Sequence, residues 1–342
     1  MIHGLILGKF YPPHKGHLHL IREAKKQCDV LTILVSSLKR ELIPGELRWN
    51  WMKDLTNHAN IQVVWVQDEN PQYPDEHPHF WQIWKQTIEL HSHLPIDVIF
   101  TSELYGDPLA SVLGCKHIPI DIGRNQVPIS ATNIREAPLK HWEYIPEAIR
   151  PFFVKRIVLT GSESVGKTTL AQKLADHFVT NWIPEFAREY LENKPTPMEE
   201  SDFLPIAKGH LLSEIEACKK ANGILFLDTD LLTTKVYLER YYQSEIPWLT
   251  KRALGLQYDA SLFFDIDIPW EKDKLRDLGE EREEMKLRFL DAMKEAKREF
   301  FLIKGDYIER ERLAIEYIDQ VKAQPINQLA FTKEQIDLRT IE

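Results

Sequence analysis

Gly8-Lys9-Phe10-Tyr11-Pro12-Pro13-His14-Lys15-Gly16-His17 follows the apolar run Leu5-Ile6-Leu7, and Gly161-Ser162-Glu163-Ser164-Val165-Gly166-Lys167-Thr168 follows Arg156-Ile157-Val158-Leu159. These two stretches decide the fold, because each reads as a strand that turns through glycines into a helix. Glycines let the backbone approach a phosphate closely, and the free amides of the helix that follows face an anion. Two such loops in one chain imply two nucleotide sites.

Outward from the first loop, short β-rich runs alternate with helical patterns. Gly4 to Gly8, Leu31 to Ser36, Ile61 to Val66 and Val98 to Thr101 read as strands, with helices over Lys15 to Gln27, Glu46 to Leu55 and Phe80 to His91. Such alternation predicts a parallel sheet with crossover helices, whose ligands bind beyond the carboxyl ends of the strands. A second α/β unit begins at Lys155, with strands over Gly223 to Asp228, Ser261 to Asp267 and Phe300 to Lys304. Glu280 to Arg298 is heavily charged yet spaced like a helix, with Met285, Phe289 and Met293 on one face. It reads as a solvated helix, with a lid over a phosphate site as the alternative. At about 150 residues per domain, 342 residues suit two domains, placed at 1–150 and 151–342.

Composition narrows the class. With 43% hydrophobic and 28% charged residues the chain reads as an ordinary globular protein. A net charge of −9 argues against a surface that coats nucleic acid, so phosphates must meet local cations. Cys28, Cys115 and Cys218 are odd in number and far apart, which supports neither a disulfide frame nor a zinc site. The amino terminus shows no basic leader, and no stretch approaches the roughly 20 apolar residues of a spanning helix. The expectation is a cytoplasmic protein with no membrane or nucleic-acid partner.

Within the first loop, His14 and His17 stand at a helix start with no carboxylate or cysteine at ligand spacing. Imidazoles donating hydrogen bonds to phosphate fit this better than zinc ligands. Taken with Ile129-Ser130-Ala131-Thr132-Asn133-Ile134-Arg135 far downstream, the loop resembles the paired motifs of the nucleotidyltransferase superfamily, specifically the nicotinamide-nucleotide adenylyltransferases. The resemblance implies a Rossmann-like sheet, histidines on the triphosphate, and Ser130, Thr132 and Arg135 holding phosphates at another helix start. It further implies attack of a mononucleotide phosphate on the α-phosphorus of ATP, by positioning and charge stabilisation with Mg²⁺ on the leaving pyrophosphate. Lys9, Lys39, Arg40 and Arg124 are additional candidate cations, and Gly8, Phe10, Tyr11 and Gly16 form the loop itself. Thr101 and Ser102, at a strand end, are expected ribose or base contacts. Asn70, Tyr73, Trp81 and Trp84 follow another strand end, where a cationic nicotinamide ring would stack; ordinary core is the competing reading for these aromatics.

The second loop matches Gly-x-x-x-x-Gly-Lys-Thr, a full Walker A pattern. Its amides cradle phosphates, Lys167 reaches the β and γ oxygens, and Thr168 ligates Mg²⁺, with Thr169 beside it. Leu225-Phe226-Leu227-Asp228-Thr229-Asp230 is an apolar strand ending in carboxylates, so Asp228 and Asp230 are candidates for magnesium or the acceptor hydroxyl. Glu185 and Arg188 share a turn and fit by type as base and phosphoryl contact. Arg276, Arg282 and Arg288 are candidate lid arginines, with Tyr258 and Trp270 near the acceptor. The Walker loop, Phe186-Ala187-Arg188-Glu189-Tyr190, Asp228-Thr229-Asp230 and Ile268-Pro269-Trp270 together resemble the ribosylnicotinamide kinase half of the bifunctional NadR family.

With both halves the resemblance covers Gly4 to about Tyr317, and implies an α/β enzyme with a Rossmann-like nucleotidyltransferase domain followed by a P-loop kinase domain. Its expected substrates are ATP, ribosylnicotinamide, nicotinamide mononucleotide and NAD, with Mg²⁺ as cofactor; a homo-oligomer is left open. Regulatory members carry an amino-terminal helix-turn-helix, whereas here the first loop starts almost at Met1, so transcriptional repression is not expected. The competitors are a nucleotide sensor with one inactive site, and an adenylyltransferase or kinase for a different acceptor.

Overall fold

In the first half the apolar runs become five parallel strands, β1 (His3–Gly8), β2 (Val30–Ser36), β3 (Ile61–Val66), β4 (Val98–Thr101) and β5 (Lys116–Pro119). They pair in the order β3-β2-β1-β4-β5. The computed structural model describes residues 1–271, 278–327 and 332–341, and the chain divides into two compact units, Met1–Ile149 and Arg150–Glu342. Helices α1 (Lys15–Lys25), α2 (Gly45–Leu55), α3 (Phe80–His91), α4 (Gly106–Leu113) and α5 (Ala131–Glu136) complete the first unit.

Alternation along the central strands feeds two cores. Ile6, Ile33 and Val35 join Leu20, Ile21 and Met52 on one face, while Leu5, Leu34 and Ile99 join Trp84, Ile88 and Leu109 on the other. Both faces of a parallel sheet are thus covered by helices, which is why its strands read as nearly continuous apolar runs. The chain leaves β1 toward β2 on one side and reaches β4 on the other, so the order reverses at β1 and opens a crevice beyond its carboxyl end. The edge strand β5 has few apolar residues and an exposed pattern, and the sequence reading passed over it.

The second unit repeats the principle with β6 (Lys155–Thr160), β7 (Asn181–Ile183), β8 (Ile224–Asp228), β9 (Ala260–Phe264) and β10 (Phe301–Ile303), all parallel in the order β10-β9-β6-β8-β7. Its helices are α6 (Lys167–His177), α7 (Phe186–Glu192), α8 (Phe203–Cys218), α9 (Leu231–Tyr242), α10 (Pro247–Gly255), α11 (Arg282–Glu295), α12 (Tyr307–Ala323) and α13 (Lys333–Leu338). The charged segment is α11, and Met285, Phe289 and Met293 enter the core beside α9 residues Leu232 and Val236. The strand expected to reach Asp267 stops at Phe264. Beyond it Asp265 pairs with Lys286 at 2.6 Å and Asp267 with Arg310, so these carboxylates serve helix contacts rather than the ladder. No helix among the described residues is long and apolar enough to cross a membrane.

Candidate active sites

In the first loop the backbone leaves β1 through Phe10 at φ 46°, a left-handed residue. This folds the Phe10 ring back over Gly8, where an added Cβ would come within 3.3 Å of it. The two histidines then cap α1 reciprocally: His14 Nδ1 accepts from the His17 amide at 3.3 Å, and His17 Nδ1 accepts from the His14 amide at 3.2 Å. Their rings stack at 3.7 Å with 21° between planes, a closeness that requires Gly16, since a Cβ there would lie 2.9 Å from the His14 ring. Because both Nδ1 atoms accept, the proton of each neutral ring sits on Nε2, leaving each imidazole an Nε2–H donor for an anion.

Electrostatics keep both rings neutral. Burial, reinforced by Arg124, lowers His14 to about 3. Burial, then His14 and Arg124, holds His17 well below its usual value. The Arg124 guanidinium itself is paired with Glu103 at 3.5 Å. Arg124 rides on a tight loop closed by Asp121, whose Oδ1 accepts from Asn125 at 2.8 Å and whose Oδ2 accepts from Val127 at 3.2 Å.

The downstream motif reaches the same loop. Ser130 caps α5 by accepting from the Asn133 amide at 3.1 Å, while Arg135 donates to the Tyr11 carbonyl and to Thr132 Oγ1 at 3.0 Å. The Arg135 guanidinium also lies 4.3 Å over the Tyr11 ring. Arg48 stands 5.0 Å from the same ring, fully buried, and donates to the Lys9 carbonyl at 2.7 Å and to Glu41 at 2.5 Å. Lys9 is paired with Glu41 at 2.9 Å.

Several expected contacts lie elsewhere or are committed. Thr101 is buried, donating to the Glu103 carbonyl and meeting His117 Nε2, both at 2.9 Å; Ser102 is half-buried beside it. Lys39 and Arg40 are exposed. Asn70 donates to Thr87 at 2.9 Å, and Trp84 is core, its indole N–H on the Pro71 carbonyl at 2.9 Å. Trp84 therefore follows the competing core reading and anchors the loop after β3 rather than offering an open face. Trp81 is half-buried, edge to face with Phe80 at 4.9 Å, and Tyr73 is 66% exposed.

The second loop departs from β6 through Gly161 at φ 137° and Gly166 at 83°, which glycine adopts without strain, with Ser164 left-handed at 53° between them. Lys167 Nζ donates to the carbonyls of Gly161 and Ser162 at 2.9 and 2.7 Å. Thr168 Oγ1 donates to Asp228 Oδ2 at 2.5 Å, while Asp228 Oδ1 is buried with no hydrogen-bond partner among the described residues. Burial pushes the Asp228 carboxyl up, against the pull of Lys167, Thr168, His210 and Arg188. A carboxylate oxygen without a partner beside a loop threonine is the donor set that suits a hard divalent cation. Among the described residues no cluster of three or more His, Cys, Asp or Glu forms a protein-only metal cage.

A cavity of about 840 Å³ opens from this loop. Glu163 to Thr169 and Glu185 to Arg188 line one part, Phe203, Ile206 and His210 of α8 another, and Thr233, Thr234, Tyr237 and Tyr241 of α9 a third, with Thr229 and Tyr242. Gly209 permits the approach of α7, since a Cβ there would lie 2.1 Å from the Phe186 ring. Tyr237 and Tyr241 stack at 5.9 Å. These tyrosines escaped the sequence reading, although Thr233, Thr234, Tyr237 and Tyr241 fall on one face of α9 at helical spacing.

Other expected residues serve structure. Asp230 caps α9 by accepting from the Thr233 amide at 3.2 Å and forms a buried pair with Arg298, and it is not part of the cavity lining. Tyr258 is half-buried between Arg156 and Arg298 and is not part of the lining. Trp270 packs against Gly279, and the neighbouring Glu271 amide donates to Ser164 Oγ at 2.8 Å. Arg282 donates to the carbonyl of Ile268 at 3.0 Å, and Arg288 pairs with Glu284 on the surface at 2.7 Å. Ser162 Oγ donates to the Arg282 carbonyl at 3.2 Å. Arg276, another candidate lid arginine, lies outside the described residues. Arg310 of α12, unremarked in the sequence, is 2% exposed and donates to the carbonyls of Val165 at 2.5 Å, Asp265 at 3.0 Å and Gly305 at 2.8 Å.

Comparison with known proteins places this geometry in context. Residues 156–310 match the AAA domain family. The trifunctional NAD biosynthesis/regulator protein NadR of Escherichia coli (strain K12) is 31% identical over 343 residues, covering 93% of this chain and 83% of the relative. A crystal structure of NadR protein in complex with NR shares the fold with a TM-score of 0.80 at 23% identity, over 95% of this chain and 97% of that one. A second, of NadR protein in complex with NAD and AMP-PNP, gives 0.75 at 24% identity over the same shares. Sharing 31% identity over 93% of its length with the Escherichia coli relative, the chain belongs to the NadR family.

Proposed function

We propose that this chain is a two-step NAD salvage enzyme, with kinase chemistry at the Walker loop and adenylyl transfer at the histidine loop. The second unit, 151–342, phosphorylates ribosylnicotinamide with ATP, and the first, 1–150, joins the resulting mononucleotide to the adenylyl group of a second ATP. What carries the reading is that both phosphate loops are complete in one NadR-family chain, the first with its paired Nε2–H donors and the second with Lys167, Thr168 and Asp228 in register. The sensor alternative gains nothing from a chain in which neither loop has lost a chemical group.

At the first site an oxygen of the mononucleotide phosphate attacks the α-phosphorus of ATP. One P–O bond forms to give the new diphosphate, the bridging bond to the β-phosphate breaks, and pyrophosphate leaves. The nucleophile is already an anion, so no protein base is needed. His14 and His17 donate to the triphosphate through Nε2, Arg124 adds charge beside them, and Arg135 and Arg48 hold the loop by the Tyr11 and Lys9 carbonyls. Fixed donors aimed at developing charge need no reorganisation during reaction.

At the second site the acceptor hydroxyl attacks the γ-phosphorus, ADP leaves, and the hydroxyl proton passes to a carboxylate. Glu185 lines the cavity and is the assigned acceptor of that proton, while Asp228, tied to Thr168, faces the metal side. Mg²⁺, which neutralises phosphate charge when bound, would be held by Thr168 and Asp228 together with the nucleotide. Lys167 exchanges its two loop carbonyls for phosphate oxygens, and Arg188 lines the same cavity. The tyrosine wall suits the cationic nicotinamide ring, since aromatic faces attract cations. Asp230 is assigned a structural role, as helix cap and counter-ion to Arg298.

A coupled assay tests the proposal. Supplied with ribosylnicotinamide, ATP and Mg²⁺, the protein should produce both nicotinamide mononucleotide and NAD; mononucleotide alone would leave the first unit a sensor, and no product would reject the acceptor.

A further inference from the structure

His210 stands in mid-α8, 2% exposed, on the wall of the kinase cavity, and its Nε2 has no hydrogen-bond partner among the described residues. A buried polar nitrogen left unpaired is destabilising unless a ligand completes it. Nothing in the phosphate loop or the metal-side pair Thr168–Asp228 needs this imidazole, so the chemistry described above leaves it without a task.

Two helices fix where along the cavity it lies. Phe203, at the start of α8, meets Tyr242, at the end of α9, edge to face at 5.7 Å. His210 is seven residues further along α8, about 10 Å at 1.5 Å per residue, and it lines the cavity together with Thr229 and Thr233. Asp230 is the amino-terminal cap of α9. The cavity therefore runs from an apolar and aromatic end at Phe203, Tyr241 and Tyr242 to a polar end at His210, Thr229 and Thr233, next to the strand end that carries Asp228. A nucleoside with its 5′-hydroxyl toward Lys167 and its ring on the tyrosines brings its ribose to the His210 end.

We propose that His210 recognises the acceptor's ribose, with Nε2 hydrogen-bonded to a secondary hydroxyl of the sugar, so that the kinase unit selects ribosides over deoxyribosides. This rests on the reading of the second unit as a nucleoside kinase and adds the group that reads the sugar. A hydroxyl both donates and accepts, so it satisfies Nε2 in either tautomer.

The test measures kinase kinetics of wild type, His210→Leu and His210→Gln on ribosylnicotinamide and on its 2′- and 3′-deoxy analogues, with KM for ATP as an internal reference. The leucine variant should raise KM for ribosylnicotinamide about 10- to 100-fold, the loss set by one buried hydrogen bond, and leave KM for ATP within twofold. Glutamine, whose amide nitrogen can reach the same place, should recover most of that loss. One deoxy analogue should be as poor a substrate for wild type as for the leucine variant, because the bond is already gone. Equal losses on all three acceptors, an unchanged acceptor KM, or a parallel rise in KM for ATP would each overturn the assignment. If wild type accepts a different riboside, the same comparison on that riboside and its deoxy forms decides His210 while the acceptor reading alone fails; a protein that phosphorylates no riboside overturns both.

Discussion

Replacing Arg310 by methionine removes the guanidinium that holds the Walker loop from behind. Its nitrogens reach the carbonyls of Val165, Asp265 and Gly305 and the carboxylate of Asp267, and the side chain is 2% exposed. Methionine nearly matches its stem but leaves three carbonyls without this donor. At roughly 1–3 kcal/mol for each buried group left unsatisfied, and with partial relief by water because Asp267 is 36% exposed, the expected loss is about 3–5 kcal/mol. For a unit of this size 1 kcal/mol moves the melting temperature by about 2–4 °C, so the transition that abolishes kinase activity should fall by roughly 6–20 °C. Below that transition the loosened Val165 carbonyl should raise KM for ATP in phosphorylation and leave adenylyl transfer untouched. Differential scanning calorimetry paired with the two activity assays decides the matter. A shift under 2 °C together with an unchanged KM for ATP would show that Arg310 contributes nothing to the loop, and the reasoning from its hydrogen bonds would be wrong.

Lys167→Ala should abolish phosphorylation and spare adenylyl transfer, and His17→Ala should lower adenylyl transfer about 100-fold or more and spare phosphorylation; either folded variant losing both activities would end the claim of separate sites. Asp228→Asn should remove magnesium-dependent kinase turnover while retaining the fold, since burial already raises that carboxyl and a neutral amide suits the site; chelation of Mg²⁺ in wild type should stop phosphorylation equally. The histidine pair predicts acid sensitivity. His14, at about 3, and His17, well below its usual value, stay neutral in the fold, whereas both take protons near pH 6.5 in the unfolded chain. Stability is therefore full above pH 6.5 and falls below it, by up to about 1.4 kcal/mol per pH unit for each ring, until the folded form itself is protonated near pH 3 for His14. Urea titrations at pH 7 and pH 5 on wild type and His14→Asn, whose amide does not titrate, should show a smaller decline in the variant; identical declines would refute it.

Much of this molecule is legible in its sequence because the information is local. A glycine-turn between an apolar run and a helix announces β1, β6 and both loops, and the spacing of Met285, Phe289 and Met293 identifies the buried face of α11. The pairing of Ser130, Thr132 and Arg135 with the first loop is visible only through family resemblance, since 124 residues separate Arg135 from the Tyr11 carbonyl it holds. Trp84 and Asp230 show where residue type misleads. An aromatic after a strand end and an aspartate after a Walker-type strand suit ligands, yet the first is consumed by the core and a Pro71 carbonyl and the second by a helix cap and Arg298. Type is local; the partner that consumes it is not.

The two loops share a requirement that accounts for what the sequence could not display. A phosphate cradle turns its amides inward, and a peptide unit that points its N–H at the ligand points its carbonyl away, toward the protein interior. Those carbonyls need donors where water is excluded. Arginine has five N–H groups and cannot accept, so one buried guanidinium can serve several carbonyls at once. Both units use this solution: Arg48 reaches the carbonyls of Lys9 and Ser36, and Arg310 those of Val165, Asp265 and Gly305. Neither arginine lies in its loop; they come from α2 and α12, 39 and 145 positions away from the loop residues they hold. Lysine at either position could follow only one carbonyl closely, so Arg48→Lys and Arg310→Lys should leave each loop weakened even though charge is kept. A buried arginine behind a glycine-turn is thus as much a part of the phosphate site as the glycines in front.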